Sequence, residues 1–206
     1  MAEQVALIDY GAGNLRSVEN ALRAAGAQNV VVTGEPDVVS AADRIVLPGV
    51  GAFAACMNAL SAVPGMIDAM EGAVLRRGRP FLGICVGMQL LAEAGEEHGR
   101  HDGLGWIPGT VRALAPADPE CRVPHMGWND VRVPADHGLL QPGQAYFLHS
   151  YAYAETDPAT VLATTDHGGP VVAAVGRDSI MGVQFHPEKS QAYGLAFLNR
   201  FLNWKP

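Results

Sequence analysis

The sequence predicts an α/β protein with a central, mostly parallel sheet, helices on both of its faces and a mixed or antiparallel extension. Two observations predict this class. In the first half of the chain, continuous apolar runs typical of strands buried on both faces alternate with helical patterns. After Gly95, short strand candidates are separated by Gly and Pro instead. The 206 residues are enough for one sizeable core, and we expect a single domain over residues 1–206.

The individual elements follow from local patterns. The first helix is expected after Asn14, whose side chain can cap it, and it ends at Gly26. Its apolar residues recur at helical spacing, as Leu15, Val18, Leu22 and Ala25. The chain closes with a helix that carries Leu195, Phe197, Leu198, Phe201 and Leu202. The predicted strands are residues 5–8, 30–32, 45–47, a strand that ends at Cys85, and then 110–114, 145–148, 160–164, 171–175 and 180–185.

Composition excludes several classes of protein. The net charge of −7 argues against a nucleic-acid binder, which needs a basic surface. The three cysteines form no CxxC pair, which indicates free thiols in a reducing compartment. The opening segment lacks the basic and long apolar regions of a signal peptide, and no apolar run is long enough to cross a bilayer. We therefore expect a cytoplasmic protein that does not associate with a membrane.

The most informative segment is Gly83-Ile84-Cys85-Val86-Gly87, between a buried strand and a helix. It is the thiol version of the Gly-x-Ser-x-Gly nucleophile elbow, in which a sharp strand-to-helix turn presents one reactive side chain. The helix start favours negative charge on the sulfur, and the thiolate is the nucleophilic form. Buried cysteines more often act as small hydrophobes, which is the interpretation for Cys56 and Cys121. The two glycines favour a nucleophile at Cys85.

A cysteine nucleophile needs a base, and the base needs an orienting group. His186 follows the strand candidate at 180–185 and precedes Pro187-Glu188. Strand ends are where α/β proteins place chemistry, and a glutamate two residues on can set the tautomer of the imidazole. His-Pro-Glu alone is a short, weak signal that also fits a strand-end histidine followed by a surface glutamate. With Cys85, it predicts a nucleophile, base and orienter set.

Other motifs point away from cofactors. Gly11-Ala12-Gly13 follows the first strand, but the third glycine of a dinucleotide fingerprint is absent, because Arg16 stands there. There is no P-loop, HExxH or CxxC motif, and we expect neither a cofactor nor a metal. The glycine-rich loop that contains Val50 and Gly51 follows the third strand. Its backbone N–H groups can serve a developing oxyanion, although a plain loop is equally consistent.

Together these segments resemble the class I, triad-type glutamine amidotransferases. The elbow at 83–89 and His186-Pro187-Glu188 match the two defining motifs of that superfamily. The whole chain is similar to the branch that supplies glutaminase subunits to imidazole glycerol phosphate synthase in histidine biosynthesis. The segments that narrow the match are residues 9–14, 47–51, 124–129, 149–151 and 182–190.

The resemblance implies the flavodoxin-like fold of class I amidotransferases and a mechanism. Cys85 attacks the side-chain amide of glutamine, His186 transfers the protons, and Glu188 orients His186. The oxyanion is stabilised by the backbone N–H of Val86 and by one from the loop at Val50 and Gly51. The residues expected to hold the glutamine head group are Gln89 and the backbone around His149, Ser150 and Tyr151.

The resemblance also implies a partner, a (β/α)₈-barrel cyclase that forms a heterodimer with the chain, uses the released ammonia and activates the glutaminase. Tyr146, Trp128 and Lys189 are interface candidates. Trp106 and the loop at 96–102 depart from the family pattern, and both are expected to lie away from the chemistry.

Three alternatives stay open at this point. The chain can be a glutaminase for anthranilate, aminodeoxychorismate or guanylate synthesis, which the segments at 9–14 and 124–129 disfavour. It can be a cysteine hydrolase or peptidase that acts alone, which Gln89 and the His-Pro-Glu spacing disfavour. It can also be a binding module in which Cys85 is structural.

Overall fold

A computed structural model of the chain describes residues 3–135, 137–154 and 156–206. Two short 3-10 helices at Pro158–Thr160 and Pro187–Lys189 and a π-helical turn at Gly72–Arg76 accompany the main elements. In chain order, the main elements are β1 (Gln4–Ile8), α1 (Leu15–Ala24), β2 (Asn29–Thr33), α2 (Pro36–Ala41), β3 (Arg44–Gly49), α3 (Phe53–Ser61), α4 (Met66–Glu71), β4 (Phe81–Cys85), α5 (Val86–Gln89), β5 (Ala94–Glu96), β6 (Arg100–Asp102), β7 (Thr110–Ala113), β8 (His125–Val131), β9 (Gly143–His149), β10 (Tyr151–Ala154), β11 (Val161–Asp166), β12 (Pro170–Arg177), β13 (Ile180–Val183) and α6 (Gln191–Asn203).

The central sheet explains the apolar runs of the sequence. Within the described residues it has seven strands in the order β11-β12-β13-β4-β3-β1-β2. The strands from β2 to β13 run parallel, and β12 and β11 continue the sheet antiparallel at one edge. The parallel strands are covered on both sides, so nearly every position of β3 and β4 is buried.

The two helical layers follow from the strand order. The chain moves from β1 outward to β2, and then back past β1 to β3 and β4. Because parallel crossovers are right-handed, this reversal places α1 on one face and the later helices α2 to α4 on the other. Accordingly, α1 packs against α6, whereas α2 and α3 both pack against α4.

The first helix ends as the sequence predicts, but it begins differently. Gly26 has φ +114°, its N–H donates to Arg23, and the next N–H donates to Leu22, which is a Schellman ending. Asn14 occupies the capping position, yet its side chain makes no capping hydrogen bond. The predicted cap is therefore wrong at the level of the side chain, since only the Asn14 carbonyl engages the helix, as an acceptor from Val18.

The predicted extension of the sheet is only partly correct. The strands β11 and β12 do extend the central sheet. The candidates at 110–114 and 145–148 instead became β7 and β9, which lie in two smaller sheets among the described residues, with orders β10-β7-β5-β6 and β8-β9. β7 has only four residues, and β9 alternates buried with more exposed positions, so neither has the continuous apolar run of a central strand, and their pairing depends on the rest of the fold.

Among the described residues, no single helix is long and apolar enough to cross a membrane. The segments Phe53–Ser61 and Met66–Arg76 pass that test only as a pair, and they are bent by 90° at the break. Their apolar side chains, among them Cys56, Leu60, Met66 and Met70, are buried in the core of the protein.

Candidate active site

The turn between β4 and α5 has the backbone of a nucleophile elbow. Cys85 ends β4 and has φ +55° and ψ −112°, a conformation that costs energy for a residue with a side chain. The helix α5 begins at the next residue, Val86. A strained residue of this kind persists only where the surroundings enforce it, and such residues cluster at functional sites.

The two glycines of the elbow are required by close backbone contacts. A Cβ atom at Gly87 would lie 2.0 Å from the carbonyl oxygen of Leu47 in β3. A Cβ atom at Gly83 would lie 2.5 Å from the carbonyl oxygen of Gly87. Gly87 is thus pressed against the neighbouring strand β3 and Gly83 against the backbone of α5, and these contacts leave no room for a side chain at either position.

The neighbours of β4 in the sheet bring the other predicted groups to Cys85. In β3, Gly49 is the register partner of Cys85, so the loop with Val50 and Gly51 begins beside the thiol. On the opposite side, Val183 of β13 pairs with Ile84, so the segment that follows β13 also arrives there. The carboxyl ends of three parallel strands therefore meet at the cysteine.

His186 and Glu188 form a buried pair. The Nδ1 atom of His186 lies 2.8 Å from Oε1 of Glu188, and the two side chains are 4% and 2% exposed. The backbone fixes the histidine as well. Its N–H donates to the carbonyl of Tyr146 at 2.8 Å, and its carbonyl accepts from the Ser190 hydroxyl at 2.6 Å.

The pKa of His186 reflects two opposing influences. Burial alone lowers it, but hydrogen bonds and charge interactions with Cys85 and Glu188 outweigh burial and raise the pKa to about 9. The imidazole therefore carries its proton at neutral pH. A charged imidazole hydrogen-bonded to a cysteine stabilises the thiolate, which is the nucleophilic form of the residue.

One cavity of about 170 Å³ collects the predicted residues. All of them line it except Glu188, which lies behind His186. The lining residues are Val50, Gly51, Cys85, Val86, Gln89, Glu97, Leu148, His149, Ser150, Tyr151, His186 and Lys189.

Two side chains anchor the glycine-rich loop and the strand end before it by hydrogen bonds to backbone carbonyls. The hydroxyl of Tyr10 donates to the carbonyl of Pro48 at 2.7 Å, and the thiol of Cys56 donates to the carbonyl of Val50 at 3.3 Å. Because a trans peptide directs its C=O and N–H oppositely, the second bond turns the N–H of Gly51 away from Cys56. Cys56 is thus both a core residue and an anchor of this loop.

The side chains of two predicted glutamine-binding residues, Gln89 and His149, are largely engaged in hydrogen bonds within the protein. Gln89 donates both amide hydrogens within the protein, to the Tyr151 carbonyl at 2.9 Å and to Gln184 Oε1 at 3.0 Å. The ring of His149 also has both nitrogens engaged, with the Tyr151 carbonyl and with His125. For a ligand, Gln89 retains its carbonyl oxygen, and His149 retains its backbone.

Sequence reasoning missed two residues of the site. Gln184 is fully buried and lies 3.7 Å from the Cys85 sulfur as a donor, and the available signal was a lone amide in an otherwise apolar strand. Glu97 lines the cavity, and its carboxylate accepts from the Phe53 N–H at 2.7 Å. The expectation that the loop at 96–102 avoids the chemistry is therefore wrong for Glu97. Trp106, by contrast, packs in the core against Phe81.

Among residues 3–135, 137–154 and 156–206, no group of three or more His, Cys, Asp or Glu side chains is arranged to hold a metal ion. The polar side chains of the cavity supply a thiol, two imidazoles, two hydroxyls, an amide, a carboxylate and an ammonium group. This is a set suited to covalent acyl chemistry by the side chains themselves.

A mostly parallel sheet with a cysteine on a strained strand-to-helix turn is the arrangement of a class of α/β enzymes. The chain belongs to the class-I glutamine amidotransferase family, whose model matches residues 6–203.

Two curated relatives narrow the branch, and both are described as imidazole glycerol phosphate synthase subunit HisH. The relative from Zymomonas mobilis is 68% identical over 98% of this chain and 96% of its own length. The relative from Rhodospirillum rubrum is 55% identical over 98% of this chain and its whole length.

Solved structures agree on the fold. A glutamine amidotransferase crystal structure superposes with a TM-score of 0.71 at 18% identity, over 95% of this chain and 98% of that one. PurLQS from Thermotoga maritima gives a TM-score of 0.69 at 19% identity, over 98% and 99%. At these identities the likeness concerns the fold alone.

Proposed function

We infer that this chain is the glutaminase subunit of imidazole glycerol phosphate synthase and hydrolyses glutamine for histidine biosynthesis. The observation that carries the chemistry is the buried pair of His186 and Glu188 beside Cys85 in the cavity. The near-identical length and high identity of the HisH relatives support the branch.

The proposed reaction begins with the thiolate of Cys85. It attacks the side-chain amide carbon of glutamine, and the carbonyl π electrons move onto oxygen. The imidazolium of His186 then protonates the nitrogen as the C–N bond breaks, so that ammonia leaves and a glutamyl thioester stays on the enzyme. His186, now neutral, takes a proton from water, which attacks the thioester and releases glutamate. Glu188 keeps the Nδ1 proton in place and stabilises the charged ring throughout.

The tetrahedral oxyanion needs donors close to the sulfur. The Val86 N–H at the start of α5 is one, and we propose that the loop of Val50 and Gly51 supplies the other. The anchoring of this loop by Tyr10 and Cys56 supports the proposal, because donors stabilise a transition state best when they are held in advance.

The ends of the substrate also find partners in the cavity. Glu97 is the acidic side chain of the lining, and it is suited to the α-ammonium group of glutamine. The free carbonyl of Gln89 and the backbone of Ser150 and Tyr151 complete the proposed recognition. A neutral amide substrate with a charged amino acid end fits this arrangement.

We propose that a (β/α)₈-barrel cyclase docks over the mouth of this cavity and receives the ammonia. Val50 and Leu148, which line the cavity, are 45% and 36% exposed, and Met126 and Trp128 on β8 are 66% and 47% exposed. Met126 pairs across β8 and β9 with Leu148, which itself lines the cavity. Contiguous exposed apolar groups mark interaction sites. Tyr146 and Lys189 belong to the same region, where Nζ of Lys189 lies 5.8 Å from the centre of the Tyr146 ring. We propose that the complex is cytoplasmic.

The test measures glutamate release by the purified chain, alone and with the cyclase and its ribotide substrate. We expect weak release alone and strong activation by the loaded partner, with both lost in Cys85→Ala. Full activity without the partner would instead support a hydrolase that acts alone. Near-normal release by Cys85→Ala would show that the nucleophile is wrongly assigned.

A further inference from the structure

A buried chain of hydrogen bonds runs from β8 to the wall of the cavity. The amide nitrogen of Asn129 lies 3.0 Å from Nε2 of His125, and Nδ1 of His125 lies 3.0 Å from Nε2 of His149. Nδ1 of His149 lies 2.9 Å from the carbonyl oxygen of Tyr151. His125 and His149 are only 3% and 6% exposed. The proposed reaction makes no use of either ring.

The direction of every bond in this chain is determined by its last member. A carbonyl can only accept, so the proton of His149 is on Nδ1 and its Nε2 is an acceptor. His125 must then donate from Nδ1, which leaves its Nε2 to accept from the amide of Asn129. The set is complete with both rings neutral. Burial lowers the pKa of His125 to about 4 and that of His149 to about 3, so both rings are neutral at physiological pH.

The hydrogen-bond chain ends at the carbonyl oxygen of Tyr151, which also bonds a residue of the cavity wall. The Tyr151 carbonyl accepts a second hydrogen bond, at 2.9 Å, from the amide of Gln89. Gln89, Ser150 and Tyr151 all line the cavity, whereas His125 does not. His125 therefore supports the cavity wall without reaching its contents.

We propose that His125 is a positioning residue for glutamine binding, because it fixes His149 and the Tyr151 carbonyl and so holds Gln89 against the substrate. This inference rests on the proposed glutaminase function. Without the His125 donor, Nε2 of His149 is a buried acceptor with no partner, which is costly and is relieved when the ring turns. A turned ring releases the Tyr151 carbonyl. The binding wall then loosens, whereas Cys85, His186 and Glu188 keep their own contacts.

The main test is His125→Phe, assayed as glutaminase in the complex with the cyclase. Phenylalanine keeps a flat ring between Phe147 and His167, whose ring centroids lie 4.7 Å and 4.2 Å away, and it removes both nitrogens. We expect KM for glutamine to rise about tenfold and kcat to stay within about twofold, since binding and not the chemical step is affected. His125→Asn places an amide donor where Nδ1 was, and it should keep KM within about threefold of the unsubstituted chain.

A second variant reaches the same chain from its outer end. Asn129→Asp offers only acceptor oxygens, so it accepts a hydrogen bond from Nε2 of His125; a ring that stays neutral then leaves its Nδ1 facing another acceptor, whereas a doubly protonated ring keeps the Nδ1 donor. We expect KM to rise as in His125→Phe when the ring is neutral and to stay unchanged when it is doubly protonated. Nitrogen-15 spectra of the two histidines should report Nδ1 protonation in the unsubstituted chain and Nε2 protonation of His125 in the variant. The matched control is His167→Phe, which changes the neighbouring ring outside the chain and should leave KM unchanged.

The outcomes separate clearly. Unchanged KM in Asn129→Asp together with unchanged KM in a folded His125→Phe would overturn the proposal, as would a loss confined to kcat. Equal rises in KM for His125→Asn and His125→Phe would show that a donor at the position of Nδ1 does not restore glutamine binding, and would also overturn it. If His125→Phe does not fold, Asn129→Asp with its spectra decides alone. Absence of glutamine hydrolysis by the unsubstituted complex would instead contradict the proposed function.

Discussion

The contact between Gly87 and β3 offers the sharpest test of the elbow. In Gly87→Ala the new Cβ would lie 2.0 Å from the Leu47 carbonyl oxygen, whereas ordinary contact begins at 3.4 Å. The turn that carries Cys85 must therefore retreat from a central strand by more than about 1 Å. Displacements of this size cost about 100-fold in rate, and overpacking costs about 1–3 kcal/mol or more in stability. In an unconstrained helix, the same substitution would stabilise the protein by about 0.5–1 kcal/mol.

The assay combines urea unfolding with glutamine hydrolysis in the complex with the cyclase. We expect kcat/KM to fall at least about 100-fold and the free energy of unfolding to fall rather than rise. Gly138→Ala is the matched control, because a Cβ there meets open space, and it should change stability by less than about 0.5 kcal/mol. A Gly87→Ala protein as active and as stable as the unsubstituted one would refute the reasoning.

Three further predictions concern the groups around the thiol. Glu188→Gln removes the charge beside His186, so the pKa of His186 should fall from about 9 and kcat should drop about 10²- to 10⁴-fold. A nitrogen-15 titration that finds the same His186 pKa in the variant would contradict this. Tyr10→Phe leaves the buried Pro48 carbonyl without its 2.7 Å donor and should lower the free energy of unfolding by about 1–3 kcal/mol in urea, and an unchanged value would mean that the anchor is dispensable. Because the folded pKa of His186, about 9, lies above its ordinary value of 6.5, this histidine stabilises the fold fully below pH 6.5 and progressively less up to pH 9. The stability difference between the unsubstituted chain and His186→Gln should therefore narrow over that interval, and a difference that widens would reverse the sign of the argument.

The parallel half of the fold was predictable because its strands appear in the sequence as continuous apolar runs. A strand buried on both faces must be apolar throughout, so β1, β3 and β4 each produce an uninterrupted run. The helix α1 was predictable for a similar reason, since its stripe and Gly26 are local signals. The later strands were harder to place. The segments that became β7 and β9 are recognisable as strands, but β7 pairs with β5 and β10 and β9 pairs with β8, and these three partners are segments for which the sequence predicted no strand.

The sequence also did not predict which of several possible contacts a polar side chain makes in the folded protein. A side chain such as that of Asn14 can cap a helix, but whether it does depends on its rotamer in the folded protein. Glu97 lies in the turn of the polar hairpin formed by β5 and β6, which carries no motif, and its place in the cavity wall and its hydrogen bond from the Phe53 N–H exist only in the folded protein.

By itself, the sequence determined the class of fold, the nucleophile candidate and its two proposed helpers, because glycine frames and strand runs are local and leave a local record. The tertiary structure decided what surrounds them. Strand order brings the ends of β3 and β13 to either side of Cys85, and the contact with Leu47 explains why Gly87 has no side chain. The tertiary structure also links His125 to the Tyr151 carbonyl through hydrogen bonds of His149. Such contacts join residues far apart in the chain, and they exist only once the sheet and its crossovers have formed.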